Sequence, residues 1–247
     1  MSDEFVEYWE RAIPWTFESE NRSYEERRSL RYSLQDYMQE AIRFERFKDK
    51  FVLEIGSGSG IDSAEFARHG ARVVSLDFTE TGTSGTRNLF REARLTPEVT
   101  RANAQKLPFR QASFDCVYSF GVLHHIPDVA PVIADIARIL KVGGEFICML
   151  YNKGSLLYAY SILFAHRGEG LNEDQLVSRY SERVLGCPYT RVYSKDDVSA
   201  LLSPHFDKID ATVHYNAIDL PDRRKFKLSL PNKYELGWHI LVKARRR

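Results

Sequence analysis

The chain has 247 residues, of which 43% are hydrophobic and 28% are charged, so it can form one well-buried α/β domain with insertions or two small domains. A net charge of +1 argues against a nucleic acid as substrate, and no run approaches the roughly 18 apolar residues of a membrane helix. The acidic N-terminus (Asp3, Glu4) argues against a presequence, and three widely spaced cysteines predict reduced thiols in a cytoplasmic protein.

The first 48 residues lack the alternation of strands and predict an N-terminal helical cap. Apolar residues at helical spacing predict an amphipathic helix over about residues 24–44, preceded by a short helical piece that Pro14 ends. From Phe51 onward, short apolar runs alternate with helical stretches, which predicts a parallel sheet covered on both faces. The strands are expected at 51–55, 72–77, 99–101, 114–119 and 144–151, and the helices at 60–69, 83–93 and 129–140.

The pattern changes after Tyr151, where a helical insertion is predicted. Helical stretches are expected near 154–165 and 172–184, and Ser194 with Asp197 predicts a capping box that opens a short helix. Two last strands, at about 206–214 and 237–244, are joined by a long, partly basic loop. The predicted organisation is a cap (1–48), a cofactor-binding core (49–151), an insertion and substrate cap (152–203) and C-terminal strands that complete the sheet (204–247).

A glycine loop stands between the first predicted strand and its helix. Residues 51–60 read FVLEIGSGSG, and the next strand, 73–77, reads VVSLD and ends in Asp77. The spacing is G-x-G-x-G, whereas a dinucleotide fingerprint reads G-x-G-x-x-G with a pyrophosphate at the helix N-terminus. Glu54 would place negative charge beside such a phosphate. The loop therefore favours a cationic ligand that carries no phosphate.

Four landmarks in this order and spacing resemble the class I S-adenosylmethionine-dependent methyltransferases: 52–60 (VLEIGSGSG), Asp77, 103–109 (NAQKLPF) and 114–128 (FDCVYSFGVLHHIPD). The resemblance covers about residues 50–150 and extends more loosely over the C-terminus. It implies an α/β fold with a Rossmann-like, doubly wound, mostly parallel seven-stranded sheet whose C-terminal strand is antiparallel.

The resemblance also implies S-adenosyl-L-methionine as cofactor and a set of cofactor-binding residues. Glu54 would lie near the ammonium group, Asp77 would accept both ribose hydroxyls, and Phe78 would face the adenine. Asn103 stands where the family more often has aspartate, so the adenine contact should survive but weaken. The expected cofactor-binding residues are Glu54, Gly56, Ser57, Gly58, Gly60, Asp77, Phe78, Asn103, Ala104, Gln105, Ser119 and Phe120.

His124 and His125 are the candidate catalytic residues, because an imidazole can take a proton from a hydroxyl or amine nucleophile near neutral pH. Alternatively, both histidines only pack and hydrogen-bond around the turn. No ligand spacing suggests a metal. An aromatic substrate pocket with hydroxyl and guanidinium donors is expected from Tyr24, Arg28, Tyr151, Tyr189, Arg191 and Tyr193, although these residue types also serve as half-buried packing or solvated charge.

These observations predict an enzyme that transfers a methyl group from S-adenosylmethionine to an oxygen or nitrogen of a small molecule, with no membrane partner and an undetermined oligomeric state. Three alternatives stay open: methylation of a peptide or a modified tRNA base, a non-catalytic cofactor-binding scaffold, and an NAD-dependent oxidoreductase. Glu54 and the glycine spacing speak against the last.

Overall fold

The computed structural model describes residues 3–13, 22–96, 98–215 and 235–247, and its centre is a seven-stranded sheet. The strand order is β3-β2-β1-β4-β5-β7-β6, and β7 alone runs antiparallel to its neighbours within this sheet. The predicted fold class is confirmed. The strands are β1 (Phe51–Ile55), β2 (Arg72–Asp77), β3 (Glu98–Arg101), β4 (Phe114–Phe120), β5 (Leu140–Tyr151), β6 (Phe206–His214) and β7 (His239–Arg246).

Both faces of the sheet are covered by apolar cores, which explains the near-continuous hydrophobic runs in its central strands. In β1, Leu53 and Ile55 belong to one core, whereas Val52 belongs to the core on the opposite face. This alternation follows from the two-residue period of a strand. The parallel strands end at one edge of the sheet, so the loops after β1, β2 and β4 meet there.

Helices surround this sheet, and the predicted capping box at Ser194 and Asp197 is present. The α-helices are α1 (Asp3–Ala12), α2 (Tyr24–Leu34), α3 (Met38–Ile42), α4 (Ile61–Arg68), α5 (Glu80–Glu92), α6 (Ala130–Ile139), α7 (Glu173–Tyr180) and α8 (Lys195–Leu202). Single turns of 3₁₀-helix span Phe44–Phe47 and Leu123–His125, and a π-helix spans Leu157–Phe164. Among the described residues, no helix combines the length and the apolar character needed to cross a membrane.

The single amphipathic helix expected over residues 24–44 is wrong, because α2 ends at Leu34 and α3 begins at Met38. Gln35 leaves the helical conformation (φ −123°, ψ 66°), and its side-chain oxygen accepts a hydrogen bond from Arg31 at 2.6 Å. Tyr37 stacks on His214 at 4.1 Å between ring centroids and hydrogen-bonds His239 at 2.8 Å. Docking of Tyr37 on the last two strands therefore replaces the continuous helix.

Further boundaries differ from the prediction, among them the start of α5 at Glu80 instead of 83 and the span of β7, His239–Arg246 instead of 237–244. The helix expected over 172–184 ends at Tyr180, where the Gly186 N–H bonds the Arg179 carbonyl and closes the following turn. Strand β5 begins at Leu140, not at 144, because the Gly143-Gly144 pair forms an irregularity within the strand and not a turn before it. Pro14 and residues 216–234 of the loop between β6 and β7 lie outside the described residues.

Candidate active site

A cavity of about 300 Å³ opens at the edge where the parallel strands end. One end is lined by the glycine loop, Asp77 and Phe78. The other end is lined by aromatic side chains from α1, from the end of β5 and from the residue before β7, among them Trp9, Tyr151 and Trp238. The cavity therefore joins the predicted cofactor loop to an aromatic chamber.

The glycine loop needs its glycines for two different reasons. A Cβ on Gly56 would lie 2.2 Å from Cγ2 of Val122, so a larger residue would clash with the loop after β4. Gly58 has a positive φ of 51°, and a Cβ built there meets no atom within 4 Å. Both residues line the cavity. Gly58 thus leaves open space that a ligand can fill against the backbone.

Asp77 ends β2 as predicted and is held by the glycine loop and the next turn. Its Oδ1 accepts the N–H and the hydroxyl of Thr79 (2.9 and 2.7 Å), and its Oδ2 accepts the Gly58 N–H (2.9 Å). Burial raises the pKa of Asp77, although these hydrogen bonds act in the opposite direction. A carboxylate has about four acceptor directions, so one direction on Oδ2 is left. The predicted contact with both ribose hydroxyls stays a prediction and needs one Thr79 hydrogen bond to shift.

Glu54 lies within an acidic cluster under the glycine loop. It is buried, it accepts a hydrogen bond from the Ser63 hydroxyl, and it lines the cavity. Burial and the nearby charge of Asp62 raise the pKa of Glu54 well above its usual range. A cation placed beside Glu54 would stabilise its ionised form. This position is compatible with the predicted ammonium contact, which stays a prediction.

The remaining cofactor candidates divide into two groups. Ser57, Phe78, Ala104 and Phe120 line the cavity. The others do not line it: the Asn103 and Gln105 side chains hydrogen-bond each other at 3.3 Å, the Ser119 hydroxyl donates to the Ile55 carbonyl, and Gly60 packs against Thr86. The Asn103 side-chain oxygen also accepts the Gln105 N–H at 2.9 Å, which leaves it one acceptor direction for the predicted adenine contact.

Tyr24 and Arg28, expected in the substrate pocket, lie outside the cavity lining. Arg28 makes a bidentate ion pair with Glu65 of α4 (2.5 and 2.6 Å), which holds α2 on the outer side of that helix. Arg31 and Gln35, further along the same stripe of α2, do line the cavity. Tyr24, Arg28, Arg31 and Gln35 have the i, i+4, i+7, i+11 spacing of one helix face, and this spacing could have extended the predicted substrate pocket to Arg31 and Gln35.

Arg31 is the centre of a buried polar network. Its guanidinium donates to both carboxylate oxygens of Asp62, at 3.1 and 2.5 Å, and lies 4.3 Å from the centre of the Phe120 ring. The hydroxyls of Tyr32 and Tyr118 also donate to Asp62, at 3.1 and 2.9 Å. The pKa of Arg31 is raised by Asp62 in spite of burial. This network attaches α2 to the floor of the cavity.

The two histidines follow β4 in the 3₁₀ turn and differ in exposure to the cavity. His125 lines it, and Nδ1 of His125 lies 3.0 Å from the Tyr189 carbonyl. His124 is fully buried behind His125 and is not part of the lining. Burial lowers the pKa of both imidazoles, for His124 well below the usual range, so both are neutral at pH 7. His125 can therefore accept a proton from a molecule in the cavity.

Tyr151 is the substrate candidate that the structure places in the aromatic chamber. Its ring stacks on Trp238 at 4.2 Å and lies 3.8 Å from the His124 ring, and its hydroxyl donates to Glu182 at 2.7 Å. Glu182 follows α7 in the insertion and lines the cavity. Trp9 of α1 closes this side, with its ring centroid 4.7 Å from that of His125.

Tyr189, Arg191 and Tyr193 do not line the cavity, so their expected side-chain contacts with a substrate are absent from this arrangement. They act through the backbone instead. The Tyr189 carbonyl faces His125, and the Arg191 N–H donates to the His124 carbonyl at 2.9 Å. The Tyr193 side chain is buried in the core, which raises the pKa of its hydroxyl to about 12. This segment of the insertion holds the histidine turn in place.

Comparison with known proteins relates the glycine-loop part of this site to a family. Residues 53–148 match the family described as methyltransferase domain. A ubiquinone biosynthesis O-methyltransferase from Hahella chejuensis is 33% identical over 152 residues, which cover 61% of each chain. The chain spans about half of the length of other curated relatives that it matches. For a ubiquinone biosynthesis O-methyltransferase from Coxiella burnetii, the match covers 50% of the relative's length.

Solved structures of low sequence identity share the fold over nearly the whole chain. A protein from Pyrococcus horikoshii superimposes with a TM-score of 0.66 at 20% identity and covers 98% of this chain and 99% of its own. A Thermotoga maritima protein, described as a possible histamine N-methyltransferase, has a TM-score of 0.63 at 15% identity and covers 98% of this chain and 100% of its own.

The doubly wound sheet and the glycine loop define a Rossmann-like methyltransferase domain. The match over residues 53–148 and the relatives that are named methyltransferases confirm the resemblance to the class I S-adenosylmethionine-dependent methyltransferases that the four landmarks indicated.

Proposed function

We propose that the protein transfers a methyl group from S-adenosyl-L-methionine to an oxygen or nitrogen of a small molecule bound in the aromatic chamber. The observation that carries the proposal is the single cavity that joins the glycine loop to His125, Tyr151 and Trp238. The Hahella chejuensis relative, named for O-methylation in ubiquinone biosynthesis, supports a small-molecule acceptor.

The residues at the glycine-loop end fit this cofactor. Gly58 leaves a cradle that any side chain would fill, Oδ2 of Asp77 keeps one acceptor direction, and Glu54 offers a buried carboxyl to an ammonium group. When bound, the cofactor supplies a sulfonium methyl group, an electrophile whose positive charge disappears in the transition state. The protein's task is therefore positioning and exclusion of water, not strong acid catalysis.

The aromatic chamber can position the acceptor and exclude water. Trp9 of α1 and Glu182 of the insertion line the cavity beside His125, so cap and insertion together shield the acceptor. His125 takes the proton that a hydroxyl loses as it attacks, or that an amine loses once its bond to the methyl carbon has formed, and His124 packs behind the His125 ring at 4.2 Å between centroids. Three buried free thiols support a cytoplasmic location, where the reducing environment keeps them so.

The test is calorimetric titration with S-adenosylhomocysteine, with NAD as control, followed by a screen of small acceptors for the mass gain of one methyl group. We expect binding of the sulfur ligand alone, severe weakening in Asp77→Ala, and lowered turnover with unchanged cofactor affinity in His125→Ala. Binding of NAD alone would overturn the proposal. Methyl transfer only to RNA, with affinity falling steeply with salt, would replace the small molecule by a macromolecule.

A further inference from the structure

Three metal-ligating side chains meet in the aromatic chamber. His124 and His125 come from the turn after β4, and Glu182 comes from the insertion. One ligand atom from each of them lies within 4.8 Å of the other two. His125 Nε2 and Glu182 Oε1 are 3.6 Å apart, close to the roughly 3.4 Å between ligand atoms around a tetrahedral zinc ion. The sequence separates Glu182 from the histidines, so no spacing pattern could reveal the group.

The hydrogen bonds of His125 fix which ring nitrogen is free. Nδ1 lies 3.0 Å from the Tyr189 carbonyl, which can only accept, so Nδ1 carries the proton and Nε2 carries the lone pair. Nε2 is buried and makes no hydrogen bond to the part of the chain that the structure describes. An imidazole with one N–H on a backbone carbonyl and the other nitrogen open is the arrangement of a metal ligand with its supporting hydrogen bond.

The other two groups are prepared in the same way. Neither ring nitrogen of His124 makes a hydrogen bond of normal geometry within the described residues, although the side chain is fully buried. An unpaired buried imidazole is costly, and a metal bond would remove that cost. The carboxylate of Glu182 is oriented by the Tyr151 hydroxyl at 2.7 Å. Nε2 of His125 and Oε1 of Glu182 therefore lie 3.6 Å apart, and the buried His124 ring beside them has, in the described ranges, only the Met149 backbone near it as a polar partner.

We propose that His124, His125 and Glu182 bind a divalent transition metal ion such as Zn²⁺, with a fourth position open to the cavity. Two imidazoles and one carboxylate are a common ligand set of zinc sites that keep an open position. Tyr151 is the positioning residue, because it orients Glu182. An acceptor would reach the metal from the cavity, which His125, Glu182, Trp9 and Trp238 all line.

This inference rests on the proposed function for its consequence, which concerns the acceptor atom. A hydroxyl bound at the open position would lose its proton to solvent more easily, because a metal ion lowers the pKa of a bound O–H group. Its oxygen would then form the bond to the methyl carbon as the carbon–sulfur bond breaks and S-adenosylhomocysteine leaves. In the metal-loaded protein, the metal replaces His125 as the group that activates the nucleophile, and hydroxyl acceptors are favoured over amines.

The test uses the whole chain, treated with a chelator, dialysed and titrated with Co²⁺, which reports tetrahedral coordination by visible absorption. We expect one Co²⁺ per chain and displacement by Zn²⁺. Glu182→Gln and His125→Gln should each weaken Co²⁺ binding by about 100-fold or more, because loss of a mere supporting partner already costs 10–100-fold. Tyr151→Phe, which keeps the stacked ring, should weaken it by about 10–100-fold.

The matched control is His166→Gln. His166 also pairs with a glutamate, since its Nδ1 lies 2.7 Å from Glu169, but this pair is exposed and away from the cavity. Its substitution should leave the Co²⁺ spectrum and affinity unchanged. No tetrahedral spectrum in the native protein, or a spectrum that survives both Glu182→Gln and His125→Gln, would overturn the metal site.

Circular dichroism and S-adenosylhomocysteine affinity, measured on the same samples, separate the two proposals. Normal cofactor binding and full turnover with hydroxyl acceptors after metal removal would refute activation of the acceptor by the metal and leave the methyltransferase intact. Stoichiometric Co²⁺ binding that the ligand variants abolish, without methyl transfer to any acceptor, would support the metal site and count against the proposed reaction.

Discussion

The buried pair of Arg31 and Asp62 offers the sharpest test of how the N-terminal helices are attached to the core. Asp62 accepts four hydrogen bonds, two from Arg31 and one each from the hydroxyls of Tyr32 and Tyr118. Asp62→Ala leaves a buried guanidinium without its counter-charge, which costs about 3–5 kcal/mol. The two tyrosine hydroxyls lose their acceptor as well, so we expect the upper half of that range.

Arg31→Met should cost at least about 1 kcal/mol less than Asp62→Ala, because Asp62 keeps both tyrosine donors while the methionine fills part of the vacated volume. The double variant should cost less than the sum of the single ones, since no uncompensated charge then remains. Urea unfolding followed by fluorescence gives the free energies of unfolding by linear extrapolation.

The control is Glu25→Ala, which breaks the exposed pair of Arg68 and Glu25, whose side chains are 41% and 62% exposed. Because solvent screens such a pair, its loss should cost less than about 1 kcal/mol. An equal loss of unfolding free energy in Asp62→Ala and Glu25→Ala would refute the role of the buried pair. The same holds if the losses of Arg31→Met and Asp62→Ala add up in the double variant without coupling.

Three further predictions concern other parts of the molecule. Gly58→Ala should weaken S-adenosylhomocysteine binding strongly in calorimetry while costing only about 1–2 kcal/mol of unfolding free energy. Gly60→Ala should mainly lower the melting temperature, because a Cβ at position 60 would lie 2.8 Å from Thr86. Glu10 accepts the N–H groups of Glu80 and Thr81 at the start of α5 (2.7 and 2.9 Å), so Glu10→Ala should speed hydrogen exchange in α1 and ligand release several-fold; unchanged exchange would refute this role as a latch. Burial, with Arg31 and His214 nearby, lowers the pKa of His239 to about 3, so the contribution of its neutral form to stability is complete above the ordinary pKa of 6.5 and is lost as the pH falls towards 3. His239→Gln should therefore lower the slope of unfolding free energy against pH by about 1.4 kcal/mol per pH unit between pH 4 and 6. An unchanged slope in acid unfolding would contradict the assignment.

The core strands could be predicted from the sequence because their signal is local. Strands β1 and β2 match the predicted bounds. In a sheet that is covered on both faces, the buried part of a strand is a continuous apolar run, so the ends of the run mark the ends of the strand. The break between α2 and α3 could not be predicted in this way. Gln35 has no helix-breaking character, and the helix ends there because Tyr37 finds His214 and His239 on strands about 200 residues away in the chain.

The two ends of the cavity also differ in how far the sequence predicts them. Its glycine-loop end comes from two adjacent strand ends, so Glu54, Gly58 and Asp77 could be identified from their spacing. The aromatic end joins α1, the turn after β4, the segment after α7 and the start of β7. Trp9, Glu182 and Trp238 carry no motif, and the composition of the insertion pointed instead to Tyr189, Arg191 and Tyr193. The backbones of Tyr189 and Arg191 support the histidine turn from outside, and that of Tyr193 bonds to Tyr151 and Lys153.

The acid that first distinguished this loop from a dinucleotide site also explains why the cap cannot be treated as a separate unit. Glu54 shares its buried surroundings with Asp62, whose charge raises the pKa of Glu54, and Arg31 of α2 opposes that effect. Docking of α2 therefore sets the charge that a cationic ligand meets at Glu54. Arg31 also packs on Phe120 at the end of β4, and both side chains line the cavity, so Arg31 connects the cap to the sheet at the cavity wall. A substitution that loosens α2 should thus alter cofactor affinity even where no residue of α2 contacts the cofactor.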